Sequence, residues 1–469
     1  QGVVDPMMCG IAGLGVLTIH DPKTGTQVVF DGLSPCPAGV HADMWSNLFE
    51  RECSDGYGFV LRGAVNEMGR TAVTVPSILR TFADAHAAFG RMPWSSLFDG
   101  AIGCARDGWM VRPHVHTMMA MDETAYGRVN TAEKLKLTED GARLYLRADG
   151  TPKRPGDRVV NPELAATLAT IARDGADAFY TGEIARRIAA DMAAHGGLIT
   201  EADLAAVRSR RVAPLRVPYR GRMLVLPPPP AGGVFIAEVL RILEHFDLPA
   251  MGHNSAAMIA VLAEAMKIAG IDKDTHVGDP DFVPVPLDML LGDAHTTEAA
   301  ARIKRGERAD LTRVGAEPKG TTTISCVDAD GLVVSVTHTL GVPSGVVVPG
   351  LGFMLNGAMN WYDPRPGRPT SFAPGKRRYS SMSPMIVMEG EAPVATLGAP
   401  GGAWIGVALS QVLVNLLDFG MDIQEAVLAP RVSATSATLD LSLRITRAAE
   451  AALAADGYAV KRVPTTYAF

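Results

Sequence analysis

A hydroxyl residue that directly follows a glycine at the mouth of a strand is a candidate nucleophile. Gly320-Thr321-Thr322-Thr323 has that form, behind a polar loop that starts at Arg313. A second candidate is Pro400-Gly401-Gly402, between a β-branched run and an apolar helix. Backbone N–H groups at such a turn can face an anion or an oxyanion. Judged locally, both have a plainer reading that the residues alone favour: a strand threonine and a tight strand-to-helix turn. Other nucleophile and cofactor patterns fail. Gly341-Val342-Pro343-Ser344-Gly345 has the wrong spacing for a nucleophile elbow. No Walker A loop is present, and Gly10–Gly15 (GIAGLG) does not follow the G-x-G-x-x-G order. His114-Val115-His116 puts two imidazoles on an expected strand. No carboxylate or third histidine lies nearby in sequence, so no metal is expected there.

The elements that must position these residues follow from periodicity. The first two thirds of the chain is Ala-rich and reads as mainly helical. Apolar residues at helical spacing predict helices over Ile78–Phe89, Leu164–Phe179, Ile184–Ala194 and Ile236–Phe246. Ser255–Ala269 is nearly all apolar and predicts a buried helix, with Ser255 as its N-cap. After Lys319 the composition changes. Thr322–Val327 and Leu332–Leu340 are β-branched runs joined by Asp328-Ala329-Asp330-Gly331, a hairpin signal. Gly345–Val348, Met385–Met388 and Val394–Leu397 predict further strands. Trp404–Phe419, closed by Gly420, and Leu441–Ala455 predict helices. Helices, then paired strands, then helices imply a layered α+β sandwich.

Composition removes several function classes. Lys plus Arg number 44 and Asp plus Glu 50, a net charge of -6, so no nucleic-acid partner is expected. Five scattered cysteines with no C-x-x-C pair argue against a disulfide framework or a zinc cage. The uncharged stretch Ala392–Leu417 is interrupted by Gly398, Pro400, Gly401 and Gly402, which divide it into strand, turn and short helix, so no membrane span is expected. Both ends read like the interior of a domain, and the sequence is expected to be a trimmed version of a longer product. The compartment stays open between cytoplasmic and periplasmic or extracellular.

Eight segments in order resemble the γ-glutamyltransferase (glutathione hydrolase) family of N-terminal nucleophile hydrolases. They are Val4–Gly13 (VDPMMCGIAG), Phe89–Trp94 (FGRMPW), Leu226–Gly233 (LPPPPAGG), Gly278–Phe282 (GDPDF), Thr321–Gly331 (TTTISCVDADG), Tyr379–Pro384 (YSSMSP), Leu397–Gly402 (LGAPGG) and Leu417–Met421 (LDFGM). The resemblance implies a four-layer αββα sandwich built by two subunits from one precursor. The precursor would cut itself between Gly320 and Thr321. This gives a large subunit, residues 1–320, mostly helical with strands, and a small one, residues 321–469, in one intertwined catalytic domain. Thr321 would be the nucleophile, and its freed α-amine, with a pKa of roughly 7.7–8.0, its own base. Thr339 would orient the nucleophile, and its alternation with Thr337 puts both on one strand face. Gly401 and Gly402 would form the oxyanion hole. Ser380 and Ser381 match the pair that binds a substrate carboxylate. The resemblance implies no metal and no organic cofactor. It also implies a small amide or peptide-like substrate, with water or an amine as acceptor, and leaves open a dimer of such heterodimers.

The γ-glutamyl recognition set departs from that pattern. The family's arginine after Asp-Gly is Leu33 here, and its asparagine after the second-threonine strand is Gly341. Its acidic residue that holds the α-ammonium aligns with Trp361, and the neighbour of that residue with Asn360. Burying an ammonium or a carboxylate without its counter-charge costs several kcal/mol. The expectation is therefore an acyl group without the zwitterionic α-carbon: aromatic, aliphatic or small dicarboxylic. Asp363 by a loop shift, or Arg365 or Arg368, are the residues in reach to restore the lost contacts. A true γ-glutamyl transferase, a C–C bond hydrolase and a non-catalytic scaffold are the competing readings.

Overall fold

The computed structural model describes residues 1–53, 58–311 and 320–463. Nine strands build two stacked sheets: β1 (Leu14–Asp21), β2 (Thr26–Gly32), β3 (Arg210–Val212), β4 (Leu215–Tyr219), β5 (Arg222–Leu226), β6 (Thr322–Val327), β7 (Val333–Thr339), β8 (Met385–Glu389) and β9 (Ala392–Leu397). The first sheet runs β6-β7-β1-β2-β3 and the second β9-β8-β5-β4. Each sheet joins a block of strands from after residue 320 to a block from before it, so both parts contribute to both sheets. The β6–β7 hairpin forms as its β-branched runs and Asp-Gly turn predict, with Thr323 opposite Thr337.

Alternation assigns the faces. On β1, Leu14 and Val16 join the core between the sheets, with Leu224, Leu226, Met385 and Val387. Thr18 is on the same face and donates to Pro384 O across 2.7 Å. Leu17 and Ile19 point the other way, against Ile78 and Ala85 of helix α1 (Ile78–Phe89). The second sheet is covered by α2 (Gly233–Leu243), α3 (Ala256–His276), α4 (Asp293–Lys304) and α5 (Trp404–Leu417). Helices outside two face-to-face sheets make the αββα sandwich. Among the described residues, no helix is long and apolar enough to cross a membrane.

The predicted elements shift in defined ways. Ser255 caps α3 by accepting from Met258 N, but the helix continues to His276. The Leu164–Phe179 helix is two helices, because Gly175 ends the first with φ 81°. Leu441 and Ser442 are strand, and the helix predicted over Leu441–Ala455 begins only at Arg447, capped by Thr446. His114 and His116 sit on the helix Pro113–Ala120 rather than on a strand. The mainly helical reading of the first part omitted β1 to β5, three strands of the first sheet and two of the second. The polar loop before Gly320 and the last six residues lie outside the described residues.

Candidate active site

β7 carries Thr337 and Thr339 on the inner face, one residue pair apart. Thr337 Oγ1 meets Thr323 Oγ1 at 2.8 Å. At the strand mouth Thr339 meets the Gly320–Thr321 bond. Thr339 Oγ1 donates to Gly320 O across 2.8 Å and accepts from Gly341 N across 2.9 Å. Thr321 Oγ1 donates to the same carbonyl oxygen across 2.7 Å and lies 3.3 Å from Thr339 Oγ1. Both threonine side chains are buried. Two hydroxyl protons thus aim at one carbonyl oxygen, which is where charge would develop if that carbonyl were attacked. Cys9 hydrogen-bonds Thr322 beside this point. Burial pushes its thiol up to about 11, which keeps it neutral and a poor nucleophile.

The Leu397–Gly402 segment crosses the same inner face. Ser335 Oγ donates to Leu397 O across 3.2 Å. A Cβ on Gly398 would lie 2.4 Å from Thr323 Cγ2, so only glycine lets this backbone approach the hairpin. Gly401 and Gly402 then turn into α5 with φ of 127° and 59°, a left-handed route that disfavours other residues. Their carbonyls accept from Trp404 N and Ile405 N, which orients the turn at the start of α5.

Ser380 and Ser381 are buried next to the second proline-glycine landmark. Ser380 N donates to Pro230 O across 2.8 Å, and Gly232 N to Met382 O across 3.1 Å. A Cβ on Gly232 would sit 2.5 Å from Ser381 O, which explains the glycine at that position. Arg377 anchors the approach. Its backbone N and Nε donate to Asp279 Oδ2 at 2.9 and 3.1 Å, and its Nη2 to Asp281 Oδ2 at 2.8 Å. Its Nη1 lies 3.7 Å from Asp31 Oδ2. Burial raises the Asp31 carboxyl above its usual range, and the Arg377 charge opposes that rise. Sequence reasoning missed this cluster, although the GDPDF landmark contained two of its carboxylates.

Leu33 and Trp361 belong to the same large apolar core, at 3% and 4% exposure. Gly341 has φ 75°, and a Cβ there would lie 2.9 Å from Trp361 Cη2. The indole therefore stacks on the peptide whose N–H holds Thr339. Arg378 covers the other side, 5.4 Å from the ring. Asn360 is not brought to this group. Its Oδ1 accepts from Arg128 Nη1 across 2.8 Å, within a buried strut to Phe59. Asp363 and Arg365 are spent on each other at 2.7 Å, with Arg365 also on Glu52 at 2.9 Å. His114 binds Asp5 and His116 the Lys153 carbonyl, so the two imidazoles do not converge.

An αββα sandwich with a threonine at the mouth of an inner strand defines the class of N-terminal nucleophile hydrolases. The sequence profile described as Gamma-glutamyltranspeptidase matches residues 1–468. The acylase ACY 1 proenzyme of Pseudomonas sp. (strain SE83) is 38% identical over 469 residues, covering 98% of this chain and 81% of the relative. The glutathione hydrolase proenzyme of Escherichia coli (strain K12) is 33% identical over 448 residues, covering 92% and 74%. The crystal structure of a cephalosporin acylase from Bacillus halodurans superposes with a TM-score of 0.85 at 27% identity, covering 98% of this chain and 82% of that one. The chain belongs to the gamma-glutamyltranspeptidase family.

Proposed function

We propose that this protein is a self-processing amide hydrolase and acyltransferase whose nucleophile is Thr321. The observation that carries the reading is the pair of hydroxyl donors, Thr321 and Thr339, on the Gly320 carbonyl oxygen. In processing, Thr321 Oγ attacks Gly320 C, and negative charge collects on the oxygen that Thr339 already holds. The C–N bond then breaks and the nitrogen takes the proton, which leaves an ester between Gly320 and Thr321. Water opens the ester to a Gly320 carboxylate and a free Thr321 hydroxyl. The products are chains 1–320 and 321–469, which stay paired because both sheets draw strands from each.

In turnover the new α-amine of Thr321 takes the hydroxyl proton as Oγ attacks the substrate amide. The Gly401 and Gly402 N–H groups receive the oxyanion. The leaving amine takes the proton, and water or an amine then collects the acyl group. Leu33 and Trp361 form an apolar floor where γ-glutamyl recognition would need charges, and Ser380 and Ser381 offer hydroxyls for one carboxylate. The acyl group is therefore aromatic, aliphatic or a small dicarboxylic chain without a zwitterionic α-carbon. The proenzyme names of the acylase and glutathione hydrolase relatives support self-cleavage, and the acylase names support amide hydrolysis.

Mass spectrometry of purified protein with a paired substrate assay tests both levels. Fragments beginning at Thr321, and faster release from a plain or dicarboxylic acyl anilide than from a γ-glutamyl anilide, are the expected results. An intact polypeptide in active protein overturns the nucleophile. Stereospecific preference for the γ-glutamyl compound overturns the specificity and favours a true γ-glutamyl transferase.

A further inference from the structure

Three titratable side chains that take no part in the Thr321 chemistry converge in the outer helical layer. Glu238 comes from α2, Asp272 from α3 and His295 from α4. His295 Nε2 lies 3.1 Å from Glu238 Oε1 and 3.1 Å from Asp272 Oδ2. One oxygen or nitrogen of each lies within 4.8 Å of the others. Glu238 is 1% exposed, and the other two are about a quarter exposed or less. The two carboxyl groups also contact each other.

Without an ion the grouping is held by protons: burial pushes Glu238 up to about 8, within hydrogen-bond reach of Asp272, and the hydrogen bond to Glu238 raises His295. Asp272 Oδ2 has His295 Nε2 at 3.1 Å and, among the described residues, no other hydrogen bond of acceptable geometry. A divalent cation would neutralise both carboxylates and take the imidazole lone pair as its third ligand.

We propose that Glu238, Asp272 and His295 bind one divalent transition-metal ion of the zinc type. Zinc–nitrogen and zinc–oxygen bonds of about 2.0–2.2 Å at tetrahedral angles put neighbouring ligand atoms about 3.3 Å apart. The two 3.1 Å edges at His295 are already close to that length, and the third, between the two carboxylates, is within 4.8 Å. One nitrogen and two oxygens are a donor set that suits zinc. A recess lined by Ile268, Ile271, Glu298, Arg302 and Asp310 opens onto Asp272 and His295. It supplies an entry path and room for a water as fourth ligand. The ion would fasten three helices of one layer, a structural role remote from catalysis.

The test is calorimetric titration of the chelator-treated, full-length processed protein with zinc sulfate alone at neutral pH. One equivalent bound, a higher unfolding temperature with zinc, and weaker binding on acidification are expected. Glu238→Gln, His295→Ala and Asp272→Asn should each weaken binding by at least about 10-fold. Asp272 is partly exposed, so Asp272→Asn remains informative if the Glu238 variant fails to fold. No uptake with zinc in large excess overturns the site. Uptake unchanged in Asp272→Asn and His295→Ala overturns it too, because the ion would then sit elsewhere.

Discussion

The Thr339 hydroxyl and the Gly320 carbonyl oxygen lie 2.8 Å apart, and the hydrogen bond between them crosses the position where the family resemblance puts the processing cut. Gly341 N holds the far side of the same hydroxyl at 2.9 Å. Because Gly341 N donates to this oxygen, the Thr339 proton stays directed at the Gly320 carbonyl.

Thr339→Val keeps the shape of the side chain and removes that donor. Processing should slow by about 10²–10³-fold. The chain should still fold, because leaving Gly341 N unpaired costs roughly 1–3 kcal/mol. A time course on a denaturing gel follows the uncut chain, and circular dichroism checks the fold.

Thr321→Ala should leave the chain whole and inactive, since no oxygen remains to attack Gly320. Thr321→Ser should cut and turn over at a reduced rate, because it keeps the hydroxyl and loses the methyl that restrains χ1. Intact mass and anilide hydrolysis distinguish the two variants. Full cleavage of the alanine variant would contradict the mechanism.

Gly341→Ala places a Cβ 2.9 Å from Trp361 Cη2 at φ 75°. Either the indole or the peptide must move, and the peptide carries the N–H that holds Thr339. Processing should fall more steeply than stability. Adding Trp361→Leu to make room should recover part of the rate, which a merely unfolded variant would not do.

Burial lowers the pKa of His338 from 6.5 to about 4. The ring packs on Phe82 at 5.5 Å, on the sheet face away from Thr321. A histidine that is harder to protonate when folded adds stability above its unfolded pKa, and that stability is lost as the pH falls. The loss should run from pH 6.5 toward 4 and reach roughly 3 kcal/mol. Urea unfolding across that range should show it, and His338→Leu should flatten the dependence.

Arg377→Met removes the nearer counter-charge from Asp279 and Asp31, leaving Arg210 3.8 Å from Asp279, while keeping most of the side-chain volume. Breaking a buried pair from one side costs roughly 3–5 kcal/mol. The denaturant midpoint should fall accordingly. Because Tyr379-Ser380-Ser381 follows directly, KM should rise for a substrate with a carboxylate more than for one without.

The local signals were legible where the chemistry is local. The Asp328–Gly331 turn and its β-branched flanks fixed the hairpin, and Thr337 and Thr339 share a face because a strand repeats every two residues. Gly401 and Gly402 stood out as a turn between a strand and an apolar helix whose backbone N–H groups can face an oxyanion. β1 was illegible for the opposite reason. Its residues Leu14 to His20 are all buried, so no alternation marks a strand covered on both faces. Asn360 and Trp361 are neighbours in sequence, yet one reaches Arg128 and the other Gly341. Which of the two faces the acyl side depends on partners far away in the chain. Likewise, Arg377 meets Asp31 and Asp279, and Glu238, Asp272 and His295 meet, only when separate elements pack. Residue order determined the candidate nucleophile and its strand; the packing of distant elements decided what surrounds it, because charge pairing and burial depend on spatial neighbours that sequence spacing does not encode.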